Sequence, residues 1–220
     1  MHDTTMVSCH YPDSVGLNSR SGMNEKSKNG VNEQVFHWDL RALRLPRLVE
    51  ADPRGRHIPC TLTTRTRPLW QGSETEVPAC TLSPELVEAL RNAHRAGQVV
   101  RGLESAARRL ANEDRGLGLV DRHSGVPRGV RVSRLLVMAD DGAERFYRQM
   151  ETLLRQHGPR LLALRLDVDA EAFGALIFGP GRRVRLLMLD HKEAVSAFLL
   201  ALPSPLSKIG REGNLFFTSP

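Results

Sequence analysis

Leu135-Leu136-Val137-Met138-Ala139-Asp140-Asp141 is an apolar run that ends in acid, the pattern of a strand buried on both faces whose end reaches solvent. Downstream, Phe146, Met150, Leu153 and Leu154 fall at i, i+4, i+7 and i+8, so they share one face of a helix that Gly158-Pro159 stops. Two further apolar runs, Leu161 to Leu166 and Val184 to Leu189, read as strands. Between them Asp169 is placed to cap a short helix holding Ala172, Phe173 and Leu176, ahead of the turn Gly179-Pro180-Gly181. Val195, Phe198, Leu199 and Leu202 give a closing helix. From Val132 onward the layout is therefore β-α-β-α-β-α, which implies a sheet covered on both faces.

Reading toward the N-terminus, Ser83-Pro84-Glu85 supplies an N-cap, a proline at the first helical position and an acid in the first turn. Leu86, Leu90 and Ala93 continue that helix, which should break near Gly97. A second helical face of Leu103, Ala106, Ala107 and Leu110 restarts around Gly102. Residues 113–131 hold five glycines or prolines among many charges and read as an inserted loop. Residues 35–80, broken by Pro46, Pro53, Pro59, Pro68 and Pro78, suit a small irregular or β-rich segment. Residues 1–34 are polar and aperiodic, the composition of a disordered tail, and 203–220 read as a flexible one.

The chain has 220 residues and a formal net charge of +6, long enough for one domain with a real core and basic enough to suit a polyanion partner. The charge is unevenly spread. Residues 82–134 carry ten basic against six acidic side chains, whereas 135–220 carry eleven against ten. No run approaches the roughly 20 apolar residues of a membrane span, and the N-terminal residues lack the basic start and apolar core of a signal peptide, so the expected location is cytoplasmic. Cys9, Cys60 and Cys80 are too few and too widely spaced for a disulfide framework.

Within the basic stretch, the order Arg95-Ala96-Gly97-Gln98-Val99-Val100-Arg101-Gly102-Leu103-Glu104, the basic pair Arg108-Arg109 and the strand ending Ala139-Asp140-Asp141 resemble the bacterial branch of the kink-turn RNA-binding ribosomal proteins, the L-seven-Ae-like family. Ala172-Phe173-Gly174-Ala175, the turn at 179–181, the last strand and the last helix are similar to that family's C-terminal half. The resemblance covers residues 93–202. It implies a domain over 81–202 built as a three-layer α/β/α sandwich with a small mixed sheet. It also implies non-catalytic binding of structured RNA, ribosomal or otherwise, without a cofactor. Carried over, Gly102 would let backbone approach the RNA, Glu104 would accept from a guanine edge, and Arg108 would take the family's basic position. Gly179 to Arg183 would form a second contact loop. The expected RNA-binding set is Arg95, Arg101, Gly102, Glu104, Arg108, Arg109, Arg182 and Arg183. A helix N-terminus offers free N–H groups to phosphate, and arginine pairs with phosphate bidentately.

Two alternatives come from the residues themselves. Acids close each strand: Asp140-Asp141, Asp167 with Asp169, and Asp190. Gathered at one sheet edge they would suit a metal-dependent hydrolase; the simpler reading is helix capping. Leu103 stands where the family carries a polar side chain, which favours a protein-binding module. His57, Cys60 and Cys80 lack the paired close spacings of a zinc site, and no phosphate-loop or nucleophile-elbow motif is present.

Overall fold

The structure is a computed structural model that describes Leu40, residues 43–124 with side chains to 117, and residues 131–203. The expected tails 1–34 and 203–220 lie outside it but for Pro203.

Three short helical pieces lead in: α1 (Arg47–Ala51), a 3-10 turn over Pro53–His57 and α2 (Ile58–Thr64). β1 (Thr66–Pro68) and β2 (Glu76–Cys80) follow as an antiparallel pair. The described part of the expected 35–80 segment is thus not separate, because β2 pairs with β5 and extends the main sheet. In α3 (Pro84–Arg95) the Ser83 hydroxyl accepts from the Leu86 N–H, and Leu86, Leu90 and Ala93 are buried. β3 (Val99–Arg101) occupies the expected helix break, an edge strand too short to show alternation in sequence.

α4 runs from Leu103 to Ser124. This corrects the loop expected over 113–131. The two glycines of this helix, Gly116 and Gly118, cost only about 1 kcal/mol each, and Glu113 and Asp114 find partners in Arg134 and His157 that sequence spacing does not reveal. Residues 125–130 of that expected loop are outside the described residues.

The rest follows the expected alternation: β4 (Arg134–Met138), α5 (Glu144–His157), β5 (Leu161–Leu166), α6 (Ala170–Phe178), β6 (Leu186–Leu189) and α7 (Lys192–Leu200). The six strands form one mixed sheet in the order β1-β2-β5-β4-β6-β3. β2, β5 and β4 are parallel, whereas β6 is antiparallel to β4 and β3 antiparallel to β6. Successive residues Leu135 to Met138 are all fully buried, so both faces of β4 are covered. One layer groups α4 with α5, and the other groups α1, α3, α6 and α7. The fold is α/β, with the core between these layers.

The direction of β6 has a local cause. α6 does not carry the chain across the sheet. Beyond Gly179 and Gly181, both at positive φ, the backbone doubles back along α6 until the Val184 N–H reaches the Ala170 carbonyl at 2.7 Å. The returning segment lies directly on Gly174, where an added Cβ would stand 1.6 Å from the Arg182 carbonyl oxygen. β6 therefore starts at the edge where β4 ends, with Leu186 opposite Met138.

Candidate nucleic-acid interface

That return delivers residues 182–185 to the start of α4. Val184 is buried, while Arg182, Arg183 and Arg185 are exposed, so one apolar anchor holds three basic side chains outward. On the other side, β3 ends at Arg101 and Gly102 turns into α4 with φ +85°. The Gly102 N–H donates to the Leu186 carbonyl at 3.0 Å, fixing the turn to the start of β6. A Cβ on Gly102 would meet nothing within 4 Å. Backbone conformation, not crowding, demands glycine there, and the space in front of the helix end is open. The N–H groups of the first helical turn have no intrahelical partner, and glycine offers no side chain to cap them.

The two segments are tied together. Arg101 Nη2 donates to the Arg183 carbonyl at 2.8 Å. Arg183 reaches Asp141 at 3.6 Å, and Asp141 in turn accepts from the Ala170 N–H at 3.0 Å. Between the segments lies a groove of about 320 Å³, floored by Leu103, Phe146, Val184 and Leu186 and rimmed by Arg101, Arg183 and Arg185. Among the described residues Arg101 and Arg185 form no ion pair with a carboxylate, and Arg183 meets Asp141 only at 3.6 Å, so the rim is positive.

The structure divides the expected RNA-binding set. Arg101, Gly102 and Arg183 come together at this groove, while Arg182, next in the chain and exposed, is not among its lining residues. Glu104 and Arg108 lie on its flank but pair with each other, 3.0 Å apart within one helical turn. Arg109 sits six residues into α4, about 9 Å along the axis from Leu103, and binds Asp190 at 3.2 Å. Arg95 is in the last turn of α3, bonded to Asn92 at 2.6 Å and to Glu88 at 3.3 Å. Both of these belong near the opposite sheet edge, since the Asp190 N–H donates to the Gln98 carbonyl just ahead of β3. Arg185 and Phe146 line the groove without having been expected there. The alternation Arg183-Val184-Arg185, out-in-out, is the signal for the first.

The acids do not assemble into one site. Because β6 is antiparallel to β4, Asp190 emerges at the edge opposite Asp140, which removes it from the expected acidic edge. Asp140 lies between Arg165 and Arg67, the latter 3.3 Å away. The Arg165 guanidinium also stacks 4.5 Å from the Tyr147 ring centre. Asp167 accepts from the Thr81 hydroxyl and the Leu82 N–H, and Asp169 caps α6 through the Ala172 N–H at 2.7 Å. Capping is thus met at Asp169 but not at Asp141 or Asp190, because the N-cap positions of α5 and α7 are Ala143 and His191, neither with a side-chain cap. Among the described residues no three His, Cys, Asp or Glu side chains converge as metal ligands. Burial, reinforced by the Asp167 charge, pushes the Cys80 thiol up to about 12, a poor metal ligand or nucleophile.

A buried polar hub lies away from the groove. Glu151 of α5 accepts from Trp70 Nε1 at 2.8 Å, the Thr75 hydroxyl at 2.8 Å and the Ser73 hydroxyl at 3.1 Å, and pairs with Arg155 at 3.1 Å. Burial by itself would raise this carboxyl. The hydrogen bonds and the Arg155 charge outweigh it, so the group lies below its ordinary value.

No protein-family model matches the chain, and no curated protein matches it. Among solved structures, a protein of unknown function from Bacillus halodurans aligns with 18% identity over 55% of this chain and 97% of its own, with a TM-score of 0.36.

Proposed function

We propose that this protein binds structured RNA without catalysing a reaction, as a cytoplasmic member of the bacterial L-seven-Ae-like kind acting on ribosomal or other folded RNA. The observation that carries this reading is the concentration of exposed arginines, Arg101, Arg183 and Arg185, around a helix start at Gly102 that has no side chain to cap it, with exposed Arg182 adjoining them in the chain. Phosphate contacts dominate RNA affinity, and guanidinium groups beside free helix N–H groups suit phosphate oxygens. Aromatic side chains make up only 5% of the chain, and Phe146 at the groove is half-buried. Shape and backbone recognition of folded RNA fits this better than stacking along a single strand.

The binding centre is accordingly Arg101, Gly102, Arg182, Arg183 and Arg185. Glu104 and Arg108 are exposed, and a surface pair of this spacing is worth only about 0.3–0.5 kcal/mol, so either group can exchange its partner for RNA. The test compares two sets of variants in an RNA titration. Replacing Arg182, Arg183 and Arg185 together by alanine should weaken binding at least tenfold, by roughly 1.4 kcal/mol or more, while Arg95→Ala should change little. Equal effects from the two sets would contradict the assignment.

A second reading, protein binding, draws on an apolar groove of about 470 Å³ between α4 and α5, lined by Leu103, Ala107 and Leu153 with Glu104, Gln149 and Thr152 at its margin. Leu103→Asn separates the two. RNA binding predicts affinity that holds or rises, whereas a protein-binding module predicts no RNA affinity in either form.

A further inference from the structure

An arginine at the end of an edge strand ordinarily samples many rotamers, and ordering it costs up to about 2 kcal/mol. Arg101 is held on two sides. One Nη2 hydrogen goes to the Arg183 carbonyl at 2.8 Å, and the guanidinium carbon lies 5.5 Å from the centre of the Phe178 ring, inside the roughly 6 Å reach of a cation–π contact. The ring is itself fixed. Phe178 closes α6, is half-buried against the core, and meets His94 of α3 edge-on, with ring centres 4.6 Å apart and planes at 65°. Gly179, immediately after it, turns the chain into the segment that presents Arg182 and Arg183. The ring thus contacts Arg101 directly and adjoins in sequence the turn that leads to the carbonyl Arg101 grips. The carbonyl bond is the hydrogen bond Arg101 makes among the described residues, which leaves the other guanidinium donors for a ligand.

We propose that Phe178 is a positioning residue for RNA binding: it holds the Arg101 guanidinium over the groove at Gly102 so that its free donors meet a phosphate already ordered. This rests on the RNA-binding reading above. Pre-ordering a side chain raises affinity by removing the cost of fixing it on association. A role through Arg101 also differs measurably from a role in the fold alone. A fold role acts whether or not Arg101 is present; a positioning role vanishes with it.

The experiment is a double-mutant cycle on kink-turn RNA affinity with the full chain, using Arg101→Ala, Phe178→Leu and the double variant, and Phe178→Tyr as the variant that keeps the ring. Phe178→Met is a second ring-less variant should leucine not fold. The expected result is a loss of about three- to tenfold for Phe178→Leu, near wild-type affinity for Phe178→Tyr, and a double variant no weaker than Arg101→Ala alone. Unchanged affinity in Phe178→Leu, or losses that multiply in the double variant, would overturn the positioning role while leaving RNA binding intact. A wild-type protein without affinity for RNA would instead overturn the RNA reading itself, and the positioning role with it.

Discussion

The carbonyl oxygen of Arg182 lies 1.6 Å from where a Cβ on Gly174 would stand, so the helix α6 and the returning chain touch backbone to backbone at that point. Alanine at a helix position is ordinarily favoured over glycine by about 1 kcal/mol. Here displacing a main-chain carbonyl outweighs that gain, as overpacking typically costs about 1–3 kcal/mol. Gly174→Ala should therefore lower the urea midpoint. It should also weaken RNA binding, because the displaced segment carries Arg182 and Arg183. An unaltered midpoint and affinity would show that the return segment is not held by this contact.

Glu151 joins α5 to the connection between β1 and β2 through Trp70, Ser73 and Thr75. Its carboxyl lies below the ordinary value of 4.5 in the folded protein, so its stabilisation is complete above that pH and is lost as pH falls through the folded value. Glu151→Gln should be less stable than wild type by about 1–3 kcal/mol at pH 7, with the gap closing as the pH is lowered well below 4.5. Chemical denaturation at stepped pH measures this. A gap independent of pH would mean that the charge contributes nothing and only shape matters.

Cys80 offers a chemical probe of the same sheet. With its thiol pushed up to about 12 by burial and by Asp167, almost no thiolate exists at neutral pH. Alkylation by iodoacetamide at pH 7.5, followed by peptide mass spectrometry, should leave Cys80 unmodified in the folded protein and modify it in urea. Rapid labelling of Cys80 without denaturant would contradict its burial at the β2–β5 pairing.

Much of the fold is legible in the sequence because its signals are local. Ser83-Pro84-Glu85 caps α3 as read, Asp169 caps α6, and the buried runs at 135–138, 161–166 and 186–189 are strands. The strand Val99–Arg101 escapes notice because three residues show no period. α4 extends past Glu113 because Arg134 and His157, distant in sequence, receive its acids. The site is half legible. Gly102 with Arg101, and the loop with Arg182 and Arg183, enter through the family resemblance and not through a local pattern. The placement of Asp190, and with it of its partner Arg109, is not legible, since it follows from the antiparallel direction of β6, a property of packing and not of residue type.

The most direct test is a salt titration of RNA binding with nucleic-acid-free protein, comparing a kink-turn RNA with an unbent duplex of equal length. RNA binding at the Gly102 groove should be tighter to the kink-turn RNA at every salt concentration, with affinity falling as salt rises and a shallower log–log slope when Arg182, Arg183 and Arg185 are replaced together by alanine. Equal, weak binding to both RNAs that vanishes by about 200 mM salt, with the same slope in wild type and variant, would contradict it.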